Sequence, residues 1–517
     1  MIALFVVTLT GFVALSYEIL WYRACSFASG GSPVTFGVLL FAYLIGIAWG
    51  ARRAGRRCRD EDASGDSRQL LRLAVYIALA NLCSFLVAPL LGVVCTFAPW
   101  PLAMVLVGIS AGLLGAVLPL VSHFAIPADD RAGARLSYLY LGNIVGSAAG
   151  SLLTGFVLMD GLGFAGISSL LLAVGMLLAA ALAVASSSDV RRFAVAGSIV
   201  AVAAIGIVLR DPVHVGLYER LKFKSSYDGQ RFVHVVENRH GVIAVTDDGL
   251  VVGGGVFDGV VSLDLMDESR NWIARPYVLP AFHAAPKEVL LIGLSAGPWA
   301  QVVVNLPGVE RLTCIEINPG YLEIIKRHDV VSSLLTNPKV KIEVDDGRRW
   351  INRHPERKFD LIVQNTTWYW RGHSTHILSR EYLEMCKSRM NPNGVMILNA
   401  TGSPDVQKTC LDVFDHGLRL YNTMVVGPDP LSFDGDRLRQ ALTTMRIDGR
   451  RVLDPSIPAH QTRLEELVAL GAGTTDLDRD RAIVYRDVLD PYLRGWKVIT
   501  DDNMQGEWRA LRWWPDK

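Results

Sequence analysis

Long apolar runs through the first 209 residues constrain the fold more than any other feature of this chain. They occupy residues 2–22, 33–51, 70–95, 100–125, 136–159, 164–185 and 193–209, and no lysine occurs before Lys222. A helix needs about 20 mostly apolar residues to cross a hydrocarbon layer of ~30 Å. Most of these runs reach that length. We therefore predict an all-α membrane bundle over residues 1–209, with six to seven spans.

Arginines cluster after the second, fourth and sixth apolar runs, at positions 52–59, 131–135 and 191–192. Positive charge marks cytoplasmic loops, so these loops and the N-terminus are predicted to be cytoplasmic. If the short seventh run also crosses, the remaining chain emerges on the outer side. If it lies in the interface or re-enters, the rest of the chain stays inside. We expect an integral membrane protein whose soluble half is cytoplasmic.

Gly142, Gly146 and Gly150 form a stripe of small residues along the fifth run. Such a stripe lets two helix backbones approach closely. Close packing inside the bundle is its expected role, and self-association through small-residue helix faces is a second one.

The charge balance and the cysteines exclude several function classes. Lys and Arg total 51 against 50 Asp and Glu, which gives no basic surplus for nucleic-acid binding. The seven cysteines are scattered without a CxxC pair, so neither a disulfide framework nor a zinc site is indicated. We expect no metal.

In the second half of the chain, the spacing of the apolar residues changes. Short alternating runs over residues 213–280 predict a small antiparallel β unit. Buried strands near 288–293, 312–319, 340–347, 359–366 and 394–400, with helical stretches between them, predict a parallel sheet in a Rossmann-like α/β domain over residues 281–410. Residues 411–517 are assigned as its C-terminal extension.

Polar residues cluster where these strands end, and ligands of such sheets bind outside the carboxyl ends. Gly293, Ser295 and Gly297 form a tight strand-to-helix turn that a phosphate or nucleotide can approach. Glu316 ends the next strand, about 20 residues on, where an acid binds ribose hydroxyls.

The third strand ends in Asp345, Asp346 and Gly347, which we assign to the nucleotide site, with one of the two carboxylates accepting from the adenine amine. Ile317 or Trp350 is expected to cover the base. The turn, the ribose acid and the acidic pair together predict an adenosine site.

The same turn reads GLSAG at residues 293–297, which also matches the G-x-S-x-G turn of serine hydrolases. A hydrolase would combine Ser295 with Asp360 and a histidine such as His373. The ribose-type acid that follows favours the nucleotide interpretation.

Several motifs of the soluble half together resemble the spermidine synthase (polyamine aminopropyltransferase) family. They are YDGQ (227–230), DDG (247–249), PKEVLLIGLSAG, CIEINP, VDDGRRW, FDLIV, HILSREYLE and NPNGVMILN. The membrane half, with YLGNIVGSAAGSLLTGF (138–156), resembles the multi-span region fused to such domains in bacterial relatives.

This resemblance implies a class I S-adenosylmethionine-methyltransferase-like fold behind a small β domain. It also implies a donor, S-adenosylmethionine or its decarboxylated form, held by Glu316 and Asp346 over the glycine turn. The β unit is then expected to close over the site with Tyr227, Gln230, Asp264 and Asp267.

Two departures from the family pattern change the expected acceptor. Ala296 stands in the glycine turn where the family usually has an aspartate, and the fourth strand ends in QNTTWYWRGHSTH (364–376) instead of an acidic run. Asn365 cannot act as a base, and we assign it with Thr366 to the nucleotide site. Arg371 suits a phosphate or carboxylate.

The remaining residues of this loop also favour an anionic, membrane-held acceptor. His373 and His376 are candidate bases, with Asp264 as a third. Trp368, Tyr369 and Trp370 are rings of the kind found at headgroup depth. We therefore expect an aminopropyl or related group to be transferred to a lipid headgroup. A soluble amine acceptor, a methyltransferase, and a transporter or nucleotide sensor remain as alternatives.

Overall fold

A computed structural model describes residues 1–60, 67–186, 190–267, 271–365, 368–504 and 506–507. Within these residues, seven helices are long and apolar enough to cross a membrane: Ile2–Ser29, Val34–Arg59, Gln69–Cys95, Trp100–Ala125, Ala132–Gly161, Gly163–Ala185 and Arg191–Val208. Each coincides with one of the apolar runs in the sequence. The prediction of a multi-span helical half is confirmed.

The membrane half contains the helices α1 (Ile2–Ser29), α2 (Val34–Asp60), α3 (Ser67–Cys95), α4 (Met104–Gly115), α5 (Val117–Ala125), α6 (Ala132–Leu153), α7 (Met159–Gly161), α8 (Gly163–Ala185) and α9 (Arg191–Val208). A 3₁₀ turn (Trp100–Ala103) precedes α4, and a π-helical turn (Thr154–Leu158) joins α6 to α7.

The glycine stripe of α6 packs against α1 of the same chain. A Cβ at Gly146 or Gly150 would overlap the backbone carbonyl of Thr8 or Phe12. Gly50 on α2 meets Gly112 on α4 in the same way. The expected close packing is therefore present. Because α1 covers the stripe of α6, that stripe offers no open face for self-association.

The seventh helix, α9, runs antiparallel to α8. At its start the Arg192 guanidinium donates to the Val184 carbonyl at the end of α8 (3.1 Å). Near its end Gly206 meets Leu172, and the following His214 ring lies 5.8 Å from the ring of Phe164 at the start of α8. The 18 residues of α9 extend for about 27 Å.

The soluble half begins with α10 (Arg210–His214) and α11 (Leu217–Phe223), followed by the four strands of the small β unit: β1 (Phe232–Asn238), β2 (Gly241–Thr246), β3 (Leu250–Gly253) and β4 (Val256–Val260). These pair antiparallel in the order β1-β2-β3-β4, as predicted.

The larger domain continues with α12 (Ala274–Tyr277), β5 (Glu288–Ile292), α13 (Pro298–Val304), β6 (Arg311–Glu316), α14 (Gly320–Arg327), α15 (Asp329–Ser332), β7 (Val340–Val344), α16 (Gly347–Arg353), β8 (Phe359–Gln364), α17 (Arg380–Lys387) and β9 (Met390–Asn399). It ends with α18 (Pro404–Val413), β10 (His416–Leu420), β11 (Thr423–Gly427), α19 (Gly435–Thr444), β12 (Arg446–Ile447), β13 (Arg450–Arg451), α20 (Pro458–Ala469), β14 (Ile483–Tyr485) and α21 (Arg486–Leu493).

Eight strands form the main sheet, in the order β14-β10-β11-β9-β8-β5-β6-β7. The five predicted strands, β5 to β9, are parallel, and the last three add antiparallel at one edge. The chain order reverses at β5, which lies between β6 and β8. Crevices for ligands form at the carboxyl ends of strands at such a switch point.

The two halves share one apolar cluster. Val242, Ala244 and Val252 of the small sheet are buried together with Phe27 and other residues of the membrane helices. The Gly372 amide donates to the Gly31 carbonyl at the end of α1 (2.9 Å). The small sheet therefore lies directly on the ends of the membrane helices.

Candidate active site

The turn after β5 is tight because three of its residues are left-handed. Gly293, Ser295 and Gly297 have φ values of 84°, 49° and 96°. A side chain at Gly297 would press on Leu334 and Ile325, so this position needs glycine. Helix α13 starts immediately afterwards at Pro298, which places the turn at the carboxyl edge of the sheet.

Glu316, at the end of β6, is buried against this turn. Its carboxylate accepts from the backbone amides of Leu294 (2.8 Å), Ser295 (3.2 Å) and Asn318 (2.9 Å). A carboxylate offers about four acceptor positions, so one remains for a ligand hydroxyl. Burial raises the pKa of Glu316 to about 7; the nearby Asp258 also raises it, and the three amides act against this.

The acidic pair after β7 has two different environments. Asp346 caps α16 by accepting from the Arg349 amide (2.8 Å). Asp345 accepts from its neighbour's amide (2.7 Å) and pairs with Arg349. Burial alone would raise the pKa of Asp345, but these hydrogen bonds and the charges of Arg349 and Arg353 hold it below its usual range.

Of the two residues predicted to cover the base, Ile317 lies open beside the acidic pair and Trp350 does not. Ile317 is 55% exposed at the end of β6, next to Val344 on β7. Trp350 is buried in the core of the sheet, where it stacks on His354 at 4.2 Å. Trp350 is therefore unavailable to a base, and Ile317 remains the candidate.

A cavity of about 330 Å³ opens beside the glycine turn. Its wall comes from β4, the turn and α13, the ends of β8 and β9, and the segment before α12. The polar lining includes Asn271, Asn365, Asn399, Asn422, Asp258, Arg275, Ser295 and Thr401, and the indoles are those of Trp272, Trp299 and Trp368. Arg275 is held by Asn422 (2.8 Å) and by the Trp299 ring (4.8 Å).

The end of β8 contributes two of the predicted residues to this cavity. Asn365 and Trp368 both line it, and the Trp368 indole donates to the Phe257 carbonyl (3.1 Å). Thr366, predicted to contact the nucleotide, lies outside the described residues.

The next residues of the loop form the junction with the membrane helices. Trp370 is 8% exposed and packs on Gly30. Arg371 lies between Gly31 and Gly254, and its guanidinium donates weakly to the Gly253 carbonyl (3.4 Å). Tyr369 packs against the core of the main sheet. None of the three lines the cavity.

His373 and His376 are exposed, with parallel rings 6.4 Å apart, and they too lie outside the cavity lining. Glu507 holds their loop by accepting from the backbone amides of His373 and Thr375, both at 2.9 Å. The two histidines therefore face solvent on the far side of the loop that carries Arg371.

The four residues of the β unit that were predicted to close over the site also lie outside the cavity lining. The Tyr227 ring stacks under Arg220 (5.8 Å), and Gln230 donates to the Ser226 carbonyl (3.0 Å), both in the segment that follows α11. Asp264 and Asp267 are exposed, and Asp264 accepts from the Met266 amide (2.9 Å).

The hydrolase alternative lacks an assembled triad. The Ser295 hydroxyl contacts Asp258 (2.9 Å). Asp360 lies at the start of β8, at the opposite edge of the sheet, where it accepts from the Lys287 and Glu288 amides. No histidine is among the described residues that line the cavity.

Sequence reasoning missed most of the cavity. Asp258, Trp299 and Asn399 were not singled out, although each adjoins a motif that was. Asp258 lies in the alternating run VFDG, Trp299 directly follows the glycine turn, and Asn399 ends the fifth predicted strand. The sequence places each of them in or beside a predicted element, but it does not show that the three converge on one cavity.

Residues 278–427 match the family model of the spermine/spermidine synthase domain. The soluble half therefore carries a domain of the spermine/spermidine synthase family, which confirms the resemblance found in the sequence.

The similar curated proteins include polyamine aminopropyltransferases. The Mycobacterium tuberculosis protein is 25% identical over 315 residues, covering 57% of each chain. Polyamine aminopropyltransferase 2 of Hyperthermus butylicus is 27% identical over 176 residues, covering 33% of this chain and 56% of its own. This chain thus spans a little over half the length of these curated relatives.

Two solved spermidine synthases are similar over 46% of this chain, each with a TM-score of 0.33. One, in complex with the transition state analogue AdoDATO, is 17% identical with 84% of its chain covered. The other, from Thermotoga maritima, is 15% identical with 88% covered.

Proposed function

We propose that this protein is a membrane-anchored aminopropyltransferase that uses decarboxylated S-adenosylmethionine as donor and a small amine as acceptor. One observation carries the proposal: Glu316, Asp346 and the glycine turn lie together at the carboxyl edge of the sheet, and a cavity adjoins that turn. The family of residues 278–427 and the printed names of its relatives support the same activity.

In this proposal the nucleotide lies along the ends of β5, β6 and β7. One ribose hydroxyl donates to the remaining acceptor position of Glu316. Ile317 covers the adenine, and Asp345 or Asp346 accepts from its exocyclic amine. The sulfonium then lies over the Gly293–Gly297 turn, next to the cavity.

The reaction is a displacement at the propyl carbon bonded to sulfur. The amine lone pair forms the new C–N bond as the C–S bond breaks, and the bonding electrons stay on sulfur, which gives methylthioadenosine. The alkylated nitrogen then loses a proton to water. The sulfonium is already a good leaving group, so the protein contributes mainly by aligning the two reactants and excluding water.

The cavity supports an amine acceptor better than the anionic lipid headgroup predicted from the sequence. The side-chain oxygens of the asparagines in its wall can accept hydrogen bonds from an amine. The volume of about 330 Å³ lies at the low end of small-molecule sites. Arg371, His373 and His376, on which the lipid prediction depended, are not part of this wall.

The test incubates the full-length protein in lipid nanodiscs with each sulfonium donor, a series of linear diamines and anionic phospholipid. Methylthioadenosine together with an alkylated diamine supports the proposal. Adenosylhomocysteine would indicate a methyltransferase instead, and an aminopropylated phospholipid would restore the lipid acceptor. Glu316→Gln should lose turnover, whereas Glu323→Gln, an exposed change on α14, should not.

We further propose that the catalytic half lies on the outer side of the membrane. The arginine clusters at 52–59, 131–135 and 191–192 all occur at helix ends opposite those that contact the small sheet. Helix α9 is long enough to cross and runs antiparallel to α8, and α10 continues to the start of α8. By the positive-inside rule the arginine side is cytoplasmic. This proposal replaces the cytoplasmic placement expected from the sequence, and it requires the donor to reach the outer face.

Paired reporter fusions test this orientation. A reporter active only outside the cytoplasm is fused after Gly216, and a reporter active only inside is fused there in a second strain. Activity of the outside reporter supports the proposal. The same pair fused after Arg59 is the matched control, and it should give the opposite result.

A further inference from the structure

Asp258 is the one carboxylate among the described residues that line the cavity. It projects from β4 of the small sheet. Its Oδ2 accepts from the hydroxyls of Ser295 (2.9 Å) and Tyr321. Its Oδ1 accepts no hydrogen bond within the described part of the chain. A partly buried carboxylate with one unused oxygen on a cavity wall is an acceptor for a cationic ligand group.

The surroundings keep this carboxylate fixed in place. Ser295 and Tyr321 hold Oδ2 from two different elements, the glycine turn and α14. Arg371 lies behind the same hairpin, against Gly254. Burial raises the pKa of Asp258, and the hydrogen bonds from Tyr321 and Ser295 and the charge of Arg371 act against this. The side chain is therefore fixed on the cavity wall through Oδ2, which leaves Oδ1 for a cationic ligand group that would favour the ionised carboxylate.

Asp258 and Glu316 both accept hydrogen bonds from the glycine turn, from two different sides. Glu316 accepts from the Leu294 and Ser295 amides, and Asp258 accepts from the Ser295 hydroxyl. A nucleoside whose ribose is bound by Glu316 would carry its sulfur across this turn. A propyl arm on that sulfur then extends toward Asp258.

We infer that Asp258 binds the terminal ammonium of the donor's aminopropyl arm and selects the decarboxylated donor. The inference rests on the proposed function. It also accounts for Ala296, which stands in the glycine turn where the family usually has an aspartate. The carboxylate that binds the ammonium is supplied instead by the small β sheet. S-adenosylmethionine carries an extra carboxylate next to its ammonium, and the charge of Asp258 repels that group.

Titration calorimetry on the full-length protein in nanodiscs separates the arm from the nucleoside. Three ligands are compared: decarboxylated S-adenosylmethionine, S-adenosylmethionine, and methylthioadenosine, which has no aminopropyl arm. Asp258→Asn should weaken binding of the decarboxylated donor by roughly 10- to 100-fold, as expected for losing a charged hydrogen bond. It should change methylthioadenosine binding by less than about twofold and reduce the preference over S-adenosylmethionine.

Asp247→Asn, an exposed turn residue of the same small sheet, is the matched control and should bind all three ligands like the unmodified protein. Equal affinities of Asp258→Asn and the unmodified protein for the decarboxylated donor would overturn the inference. If Asp258→Asn loses methylthioadenosine as well, Asp258→Glu is decisive. Restored binding with preference for the decarboxylated donor supports the inference. Binding without that preference, or no binding, gives Asp258 a structural role only.

The proposed function fails in a different way. If the unmodified protein binds neither methylthioadenosine nor either sulfonium donor, the nucleotide site itself is disproved. If it binds methylthioadenosine and the decarboxylated donor equally, only the role of Asp258 is disproved.

Discussion

The membrane half and the soluble half of this protein are held together by different means. In the membrane half, glycines such as Gly146 and Gly50 bring helix backbones into direct contact. In the soluble half, side chains such as Glu316 and Asp346 reach backbone amides and fix loops at the sheet edge. Lipid gives helices no hydrophobic reason to associate, so close packing has to do it.

The junction between the halves uses both means. Gly255 of the small sheet lies against the backbone carbonyl of Phe27, with no room for a Cβ between them. The Arg23 guanidinium donates to the Asn238 and Arg239 carbonyls. If the two halves differ in this way, adding a methyl group should lower the free energy of unfolding most where two backbones are in contact. Removing a hydrogen bond should do less, and should act mainly on ligand affinity.

The largest effect is expected from Gly255→Ala. Gly255 has φ 88°, and a Cβ there would overlap the Phe27 backbone. Strain and overpacking together should lower the free energy of unfolding by roughly 2–4 kcal/mol. Thermal unfolding in detergent, with limited proteolysis to detect undocking, measures this.

Gly229→Ala is its matched control, because Gly229 has φ 81° but open space around it. Gly229→Ala should lower the free energy of unfolding only by the backbone strain. If the two variants unfold at the same temperature, the contact between the halves contributes nothing measurable.

A smaller loss is expected from Gly146→Ala inside the membrane half. The added methyl group would push α6 away from Thr8 on α1 and cost about 1–3 kcal/mol. Gly133→Ala, on the same helix with no atom within 4 Å, should be neutral or slightly stabilising. Equal stability of both variants would refute backbone contact as the basis of packing here.

The elements of both halves could be predicted from the sequence, but the contacts between distant segments could not. Spans could be predicted because hydropathy acts over about 20 residues, and the ends of β5, β6 and β7 because buried strands have clear limits. Glu316 and Asp346 followed from those ends. Contacts between distant segments could not be predicted: Arg371 meets Gly31, some 340 positions away, and lies half-buried in the junction instead of lining the cavity.

Donor binding should depend on pH through Glu316, whose pKa of about 7 is raised by burial. Ribose hydroxyls and a sulfonium both favour the ionised carboxylate, so donor binding should lower this pKa and release a proton. Affinity for the decarboxylated donor should therefore fall as the pH drops below 7, by up to about tenfold per unit. Calorimetry between pH 6 and 8 measures it, and Glu316→Gln should give a flat profile. A flat profile in the unmodified protein would contradict this assignment.

The smallest effect is expected where the hydrogen bonds of the soluble half meet the membrane. Asn238 accepts from Arg23 of α1 through its backbone carbonyl, and its side chain donates to the Asn318 side chain (2.7 Å). The backbone amide of Asn318 donates to Glu316. Asn238→Ala removes the link to Asn318, which is worth about 1 kcal/mol, so donor affinity should fall by about fivefold. His240→Ala changes an exposed residue of the same turn and should leave affinity unchanged. If both variants lose affinity equally, the turn acts through its general stability. If only Asn238→Ala does, the small sheet helps to position the nucleotide acid through Asn318.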